Sequence, residues 1–320
     1  MRWQPSATLE ALRARAAMIQ RIRTFFDVRN VLEVEVPCLD IFPNTDPNMA
    51  TIEVTCGGVT QYLQTSPEYA MKRLLARDGV DIYSIAKAFR DDDLGPRHNP
   101  EFTMLEWYRV GMDWQALMHE VAALCHVCAE GLQSLSPPLF DSYGALFERH
   151  LGLDPHKASL MALRHACDRF TDLGSLELSR VECLDLLFSY GIEPTLGATG
   201  LQFVYDYPAC MSALAVVEKN ASNIAVTRRF ELFFRGIELA NGYQELTDSE
   251  EQARRFASDE DQRRMLNKSA YRGDPRLISA LQHGVPGCAG VALGVDRLLM
   301  TLLNENSLSA VQAFPQSRDQ

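Results

Sequence analysis

Residues 82–109 place the tightest constraint on what this chain can fold into. Two extended stretches, 82–87 and 102–109, flank the turn-prone run Leu94-Gly95-Pro96-Arg97-His98-Asn99-Pro100. Alternating segments joined by a Gly/Pro loop read as one long hairpin. On its second strand Phe102, Met104 and Glu106 share one face, while Thr103, Leu105 and Trp107 share the other. Around this hairpin, helical and extended patterns are interspersed. A helical period runs over 7–28, with Ser6 as its expected N-cap, and Val31 to Val36 alternates up to Pro37. Further helices are expected at 112–133, at 247–267 with a Thr247/Glu250 capping box, and at 295–304. Short helical patterns fill 140–200. Extended character returns at 61–64, 201–207, 228–242 and 289–294. No regular βαβ rhythm appears, so the expected class is α+β, built on an antiparallel β-sheet flanked by helices.

The chain has 320 residues, 47% hydrophobic and 23% charged, which is ordinary globular composition. No apolar run approaches a membrane span, and no signal-peptide pattern opens the sequence. The net charge of -11 argues against broad binding to a nucleic-acid backbone, which needs clustered Lys and Arg. Eight cysteines without a secretory signal read as reduced cytoplasmic thiols. Cys125-His126-Val127-Cys128 has C-x-x-C spacing, but it falls on the apolar face of the 112–133 helix and reads as core.

Three stretches carry chemistry. Arg90 ends the first strand of the hairpin beside a polar loop, where a planar guanidinium is placed to hold phosphate. Glu231, Glu238 and Glu245 recur every seven residues, but Gly236, Gly242 and the Phe-rich surroundings argue for strands rather than a helix. Carboxylates in an apolar strand require cationic partners, and magnesium or an ammonium group would serve. Gly290-Val291-Ala292-Leu293-Gly294 alternates small residues, letting a flat ring or a phosphate approach the backbone. Arg297 follows in the first turns of the next helix.

Together these stretches resemble the class II aminoacyl-tRNA synthetases. Phe89-Arg90-x-Asp92 is similar to their motif 2, with the usual Glu shortened to Asp. Gly290-x-Ala292-x-Gly294-x-x-Arg297 is similar to motif 3, with Ala in place of the middle Gly. The 7–28 helix and the strand ending at Pro37 resemble motif 1, the usual homodimer interface. Ser66-Pro67-Glu68, His98-Asn99-Pro100-Glu101-Phe102-Thr103, Glu106-Trp107-Tyr108 and Glu238-Leu239-Ala240-Asn241-Gly242 are similar to the lysyl branch.

The resemblance implies an ATP-dependent, AMP-forming ligase with Mg2+ as its metal. Arg90 and Arg297 would be catalytic. ATP would be bound by Arg90, Asp91, Asp92, His98, Asn99, Glu238, Leu239, Gly294 and Arg297. Ser66, Pro67, Glu68, Glu106, Tyr108, Glu245 and Ala292 would bind the amino acid, and Glu231 and Glu238 would hold the metal. The motif 1 helix starts near residue 7, which leaves no room for an N-terminal anticodon-binding OB-fold. The chain 1–320 is therefore expected to be a single catalytic domain. It resembles the truncated bacterial paralogues of lysyl-tRNA synthetase that load (R)-β-lysine onto a lysine of elongation factor P. No stable tRNA binding is expected. The alternative is a lysyl-tRNA synthetase-like enzyme that charges tRNA or another acceptor.

Overall fold

The computed structural model describes residues 3–91, 94–171 and 177–316, in two compact units. Asp92 lies outside the described residues. The first unit comprises residues 1–134 and 245–320, the second 135–244.

The first unit opens with α1 (Leu9–Asp27), β1 (Leu32–Glu33), β2 (Leu39–Asp40), β3 (Glu53–Cys56) and β4 (Val59–Leu63). Then come α2 (Glu68–Asp78), β5 (Ile82–Phe89), β6 (Glu101–Val110) and α3 (Trp114–Ala129). Thr8, not Ser6, caps α1, its side chain accepting from the Ala11 N–H at 3.1 Å. Ser6 instead donates its hydroxyl to the Gln312 carbonyl at 2.9 Å, tying the two ends of the chain together. The expected strand 31–36 shrinks to two residues, paired in parallel with β5. Helix α2 is not among the helices expected from the sequence. It starts after Pro67, with Glu68 in the favoured acidic first turn, and ends on the left-handed Gly79.

The second unit holds β7 (Leu139–Ser142), α4 (Tyr143–Leu151), α5 (Leu160–Cys167), α6 (Arg180–Gly191) and β8 (Gln202–Pro208). It continues with β9 (Val217–Lys219), β10 (Ala225–Phe234) and β11 (Ile237–Gln244). The sheet order is β11-β10-β8-β7, with β9 also on β10. β7 runs parallel to β8 and the other pairs are antiparallel. The extended run 228–242 resolves into a hairpin whose two turn residues, Arg235 and Gly236, have φ of 54° and 65°. Two successive positive φ values suit the right-handed twist of a tight hairpin. The core is aromatic: Tyr143 stacks on Phe147 at 4.6 Å and on Phe188 at 5.1 Å.

The chain returns to the first unit through α7 (Ser249–Met265), α8 (Pro275–Gly284), β12 (Cys288–Gly294) and α9 (Val295–Leu302). Asp248 caps α7 by accepting from the Glu250 and Glu251 N–H groups, so the expected Thr247/Glu250 box does not form. A carboxylate one residue closer to the helix satisfies two orphan donors at once. In this unit the sheet order is β1-β5-β6-β12, and β5-β6 is the expected long hairpin, in register from Ile82–Tyr108 to Phe89–Glu101. A separate three-stranded sheet runs β2-β4-β3.

Helix α1 packs Met18, Ile22 and Phe26, each fully buried, toward the hairpin. Phe26 stacks on Tyr83 at 4.4 Å and meets Trp107 edge-on at 5.4 Å. Asp296, 2% exposed in the first turn of α9, accepts from the Thr103 N–H at 2.7 Å and from Arg15 at 2.5 Å. This buried carboxylate pins α1, β6 and α9 together. Cys125 and Cys128 are buried in α3, and burial raises both thiols, that of Cys128 to about 12, as core cysteines require.

Candidate active site

The first unit assembles a buried cluster of acids around one ammonium. The two-residue period of β6 sets Glu106 and Tyr108 on one face of the sheet. β12 lies beside it with Ala292 opposite Glu106, Gly290 opposite Tyr108 and Gly294 opposite Met104. Gly290 leaves the space into which two neighbours lean. A Cβ built there would stand 2.5 Å from Tyr108 Cδ1 and closer still to Tyr108 Cε1 and Glu245 Oε1. Glu245 opens the returning segment, its N–H donating to the Cys288 carbonyl at 3.0 Å. Glu68 comes from the start of α2, its N–H donating to Ser66 Oγ at 3.2 Å, beside the buried Pro67. The Tyr108 hydroxyl donates to Glu106 Oε1 at 2.6 Å. Of the residues expected to bind the amino acid, the structure thus brings Glu68, Glu106, Tyr108 and Glu245 together, with Ala292 in register beside Glu106.

The sequence reading missed the cation. Lys72, 2% exposed, lies 2.6 Å from Glu68 Oε1 and 2.6 Å from Glu245 Oε2. One signal was available: Glu68 and Lys72 are one helical turn apart. Burial works against the charge on Lys72, but the Glu245 and Glu68 carboxylates outweigh it and hold the ammonium protonated. Burial, with Glu68 next in weight, pushes Glu106 up to about 8. Burial also raises Glu245 to about 7, against the pull of Lys72. Burial and the neighbouring carboxylates keep the Tyr108 phenol protonated. Such a cluster suits a cationic amine, because an ammonium placed there replaces a proton or meets a carboxylate already desolvated.

The same unit carries both motif arginines. Arg90 leaves β5 with its N–H donating to the Pro100 carbonyl at 2.9 Å, and its guanidinium carbon stands 5.3 Å from the Phe102 ring centre. Arg90 Nε is buried without a hydrogen-bond partner among the described residues. Arg297, in the first turn of α9 after Gly294, reaches His98: its Nη2 lies 2.8 Å from His98 Nε2, and its Nε donates to the Arg97 carbonyl at 3.3 Å. Arg297 and His98, each expected separately at the nucleotide, are therefore brought together. Asn99 is engaged by the protein itself, donating to the Glu101 carbonyl at 2.7 Å and accepting from the Gln316 N–H at 3.0 Å. The Asp91 N–H donates to the Ala50 carbonyl at 3.0 Å, leaving its carboxylate exposed.

In the second unit, Glu231 on β10 is held by Arg229 and by the Tyr207 hydroxyl, which donates to Oε2 at 2.7 Å. Burial raises Glu231 to about 7, Arg229 opposing and Glu238 adding to the rise. A bulge between Leu232 and Phe233 shifts the register, so that Glu231 faces Asn241 while Phe233 faces Glu238. Glu238 and Asn241, three residues apart, are both half-exposed and flank the buried Leu239 and Ala240. The Asn241 Oδ1 is buried without a hydrogen-bond partner among the described residues. Two carboxylates and an orphaned amide oxygen are a hard-oxygen donor set. That fits Mg2+, which takes one or two carboxylates and completes its shell with water and phosphate. Among the described residues no group of three or more His, Cys, Asp or Glu stands ready to hold a metal by itself.

Known proteins are similar to this chain over nearly its whole length. The chain is 44% identical to "Elongation factor P--(R)-beta-lysine ligase" of Hamiltonella defensa subsp. Acyrthosiphon pisum (strain 5AT), covering 99% of this chain and 98% of that protein. It is 43% identical to the protein of the same name from Pseudoalteromonas translucida (strain TAC 125), with 99% and 98% covered. The Yersinia enterocolitica serotype O:8 protein of that name is also 43% identical, with the same coverage. The family model "tRNA synthetases class II (D, K and N)" matches residues 1–318. The motif arginines, the strand register that carries them and a match over nearly the whole length agree, and the chain belongs to the class II tRNA synthetases of the D, K and N type.

Proposed function

We propose that this protein activates (R)-β-lysine with ATP and transfers it to the ε-amine of a lysine on elongation factor P. The observation that carries this reading is the buried pocket of Glu68, Glu106, Tyr108 and Glu245, which already encloses an ammonium, that of Lys72. Carboxylates arranged in this way suit the two amines of a diamino acid. The curated relatives, similar over their full length, add the acceptor.

In the first step a substrate carboxylate oxygen attacks the α-phosphorus of ATP and the bond to pyrophosphate breaks. Arg90, whose guanidinium carries a buried nitrogen with no partner among the described residues, stabilises the charge that builds on the α-phosphate. Arg297 and His98 hold the polyphosphate and adenine, with Asp91, Asn99 and Gly294 around the nucleotide and Asp92 at the motif 2 position. Glu231 and Glu238 would hold Mg2+, which supplies charge neutralisation on the phosphates. Tyr108 and Glu245 receive the side-chain amine, Glu68 and Glu106 the other amine, and Ser66, Pro67 and Ala292 complete the wall. In the second step the neutral acceptor amine attacks the adenylate carbonyl carbon, an amide forms and AMP leaves. Residues 1–320 act as one catalytic domain in the cytoplasm. Motif 1, at α1 and β1, supplies a homodimer contact. Among the described residues no helix is long and apolar enough to cross a membrane.

The test is ATP–pyrophosphate exchange with α-lysine and β-lysine, followed by acceptor labelling with elongation factor P and with tRNA. Exchange should be supported by β-lysine, abolished by Arg90→Ala with the fold intact, and followed by label on elongation factor P. Efficient charging of tRNA without protein labelling overturns the reading.

A further inference from the structure

The amine pocket contains a lysine of its own, and the apolar residues packed around it give no structural reason for a buried charge. The apolar cluster here includes Met71, Leu75, Ile82, Leu277, Leu281 and Cys288. A buried ion pair seldom stabilises a fold better than apolar side chains of the same volume. The chain also uses lysine sparingly: five of its 31 basic residues are Lys, and Lys72 alone among them is buried. What does explain its charge is geometry. Lys72 Nζ lies 2.6 Å from one oxygen of Glu68, on α2, and 2.6 Å from one oxygen of Glu245, at the start of the returning segment. The other Glu245 oxygen, Oε1, leans over Gly290 toward the Tyr108 ring.

Resting on the assignment of this pocket to the substrate's amines, we propose that Lys72 is its positioning residue. It takes one oxygen from Glu68 and one from Glu245, fixes the two carboxylates against their mutual repulsion, and leaves the second oxygen of each to the substrate.

The other titratable groups facing this clamp among the described residues are Tyr69 on α2, Glu106 and Tyr108 on β6 and Cys288 on β12. Without the ammonium, Glu68 and Glu245 would face each other in a buried site. Glu245 would then hold its proton to higher pH, and a protonated carboxyl has no charge to offer an incoming amine.

The experiment is exchange kinetics of Lys72→Met and Lys72→Ala in the full chain between about pH 6 and pH 9. In both variants the KM for the amino acid should rise roughly tenfold or more at neutral pH while the KM for ATP stays near wild type. The acid limb of kcat/KM should move up by about one pH unit, and n-propylammonium, which matches the atoms removed, should restore Lys72→Ala. Unchanged amino-acid KM and pH limb overturn the proposal. So does equal loss toward both substrates without rescue by propylammonium. Should neither variant fold, nitrogen-15 spectra of the wild-type lysine ammonium groups decide. Lys72 should give a slowly exchanging signal that moves when the amino acid binds and stays put with ATP alone. A signal indifferent to the amino acid overturns the clamp. Wild-type protein that supports no exchange with either lysine isomer would instead refute the function proposed above, a result separate from any effect at Lys72.

Discussion

Replacing Gly290 with alanine tests the pocket geometry most directly. Gly290 has no positive φ, so a side chain there meets no backbone strain, and the whole effect is steric. The added methyl would stand 2.5 Å from Tyr108 Cδ1, with Tyr108 Cε1 and Glu245 Oε1 closer still. Carbon atoms settle at about 3.5–4.0 Å, so the ring and the carboxylate must retreat by roughly 1 Å. Both are buried: Tyr108 is 2% exposed and is tied to Glu106, while Glu245 is 3% exposed and is tied to Lys72. Overpacking of this kind typically costs about 1–3 kcal/mol. The atoms that move are those assigned to the amine, so the penalty should fall on amino-acid binding, lowering kcat/KM in exchange by roughly 5- to 150-fold at unchanged KM for ATP. Gly287→Ala is the control, since a Cβ there meets nothing within 4 Å and φ is unstrained. Gly290→Ala protein with wild-type amino-acid kinetics would refute the placement of Tyr108 and Glu245 in the substrate pocket.

Three further outcomes follow from the same geometry. Ala292→Gly removes a methyl in register with Glu106 and should raise activation of α-lysine relative to β-lysine by roughly 10- to 200-fold, the usual value of a methyl in a packed site; an unchanged ratio in exchange assays would clear Ala292 of any part in selectivity. Glu106 titrates at about 8 against an ordinary 4.5, so the folded state holds a proton that the unfolded chain has lost. Its contribution to stability is complete below the ordinary value and is lost as pH rises from about 4.5 to about 8. Thermal midpoints across that window should therefore fall more steeply for wild type than for Glu106→Gln, and parallel curves would contradict the raised value. Asp296→Ala strands the Thr103 N–H and leaves Arg15 its bond to Thr103 Oγ1 but no carboxylate, and should cost about 2–4 kcal/mol in urea unfolding at unchanged slope; a loss below about 1 kcal/mol would show that the three-way junction is not structural.

The sequence by itself determined whatever depends on short-range periodicity. The two-residue alternation of 102–109, with the Gly/Pro loop before it, was enough to recognise the β5-β6 hairpin and to place Glu106 and Tyr108 on one face. The glycines near the end of 228–242 separated its carboxylates from a helical heptad. Boundaries were less legible where neighbouring residues competed for one role, as when Thr8 took the cap from Ser6 and Asp248 from Thr247.

The tertiary structure alone decided how distant segments meet. The register that sets Ala292 against Glu106 joins strands far apart in the chain. The evenly spaced Glu231, Glu238 and Glu245 divide between two clusters, because a bulge shifts β10 against β11 and Glu245 leaves the hairpin to meet Lys72. Nothing in the sequence sets Lys72 apart from other polar residues except its spacing of four from Glu68. Only the arrival of a carboxylate from the other end of the chain makes its burial affordable, and a one-dimensional pattern holds no record of that encounter.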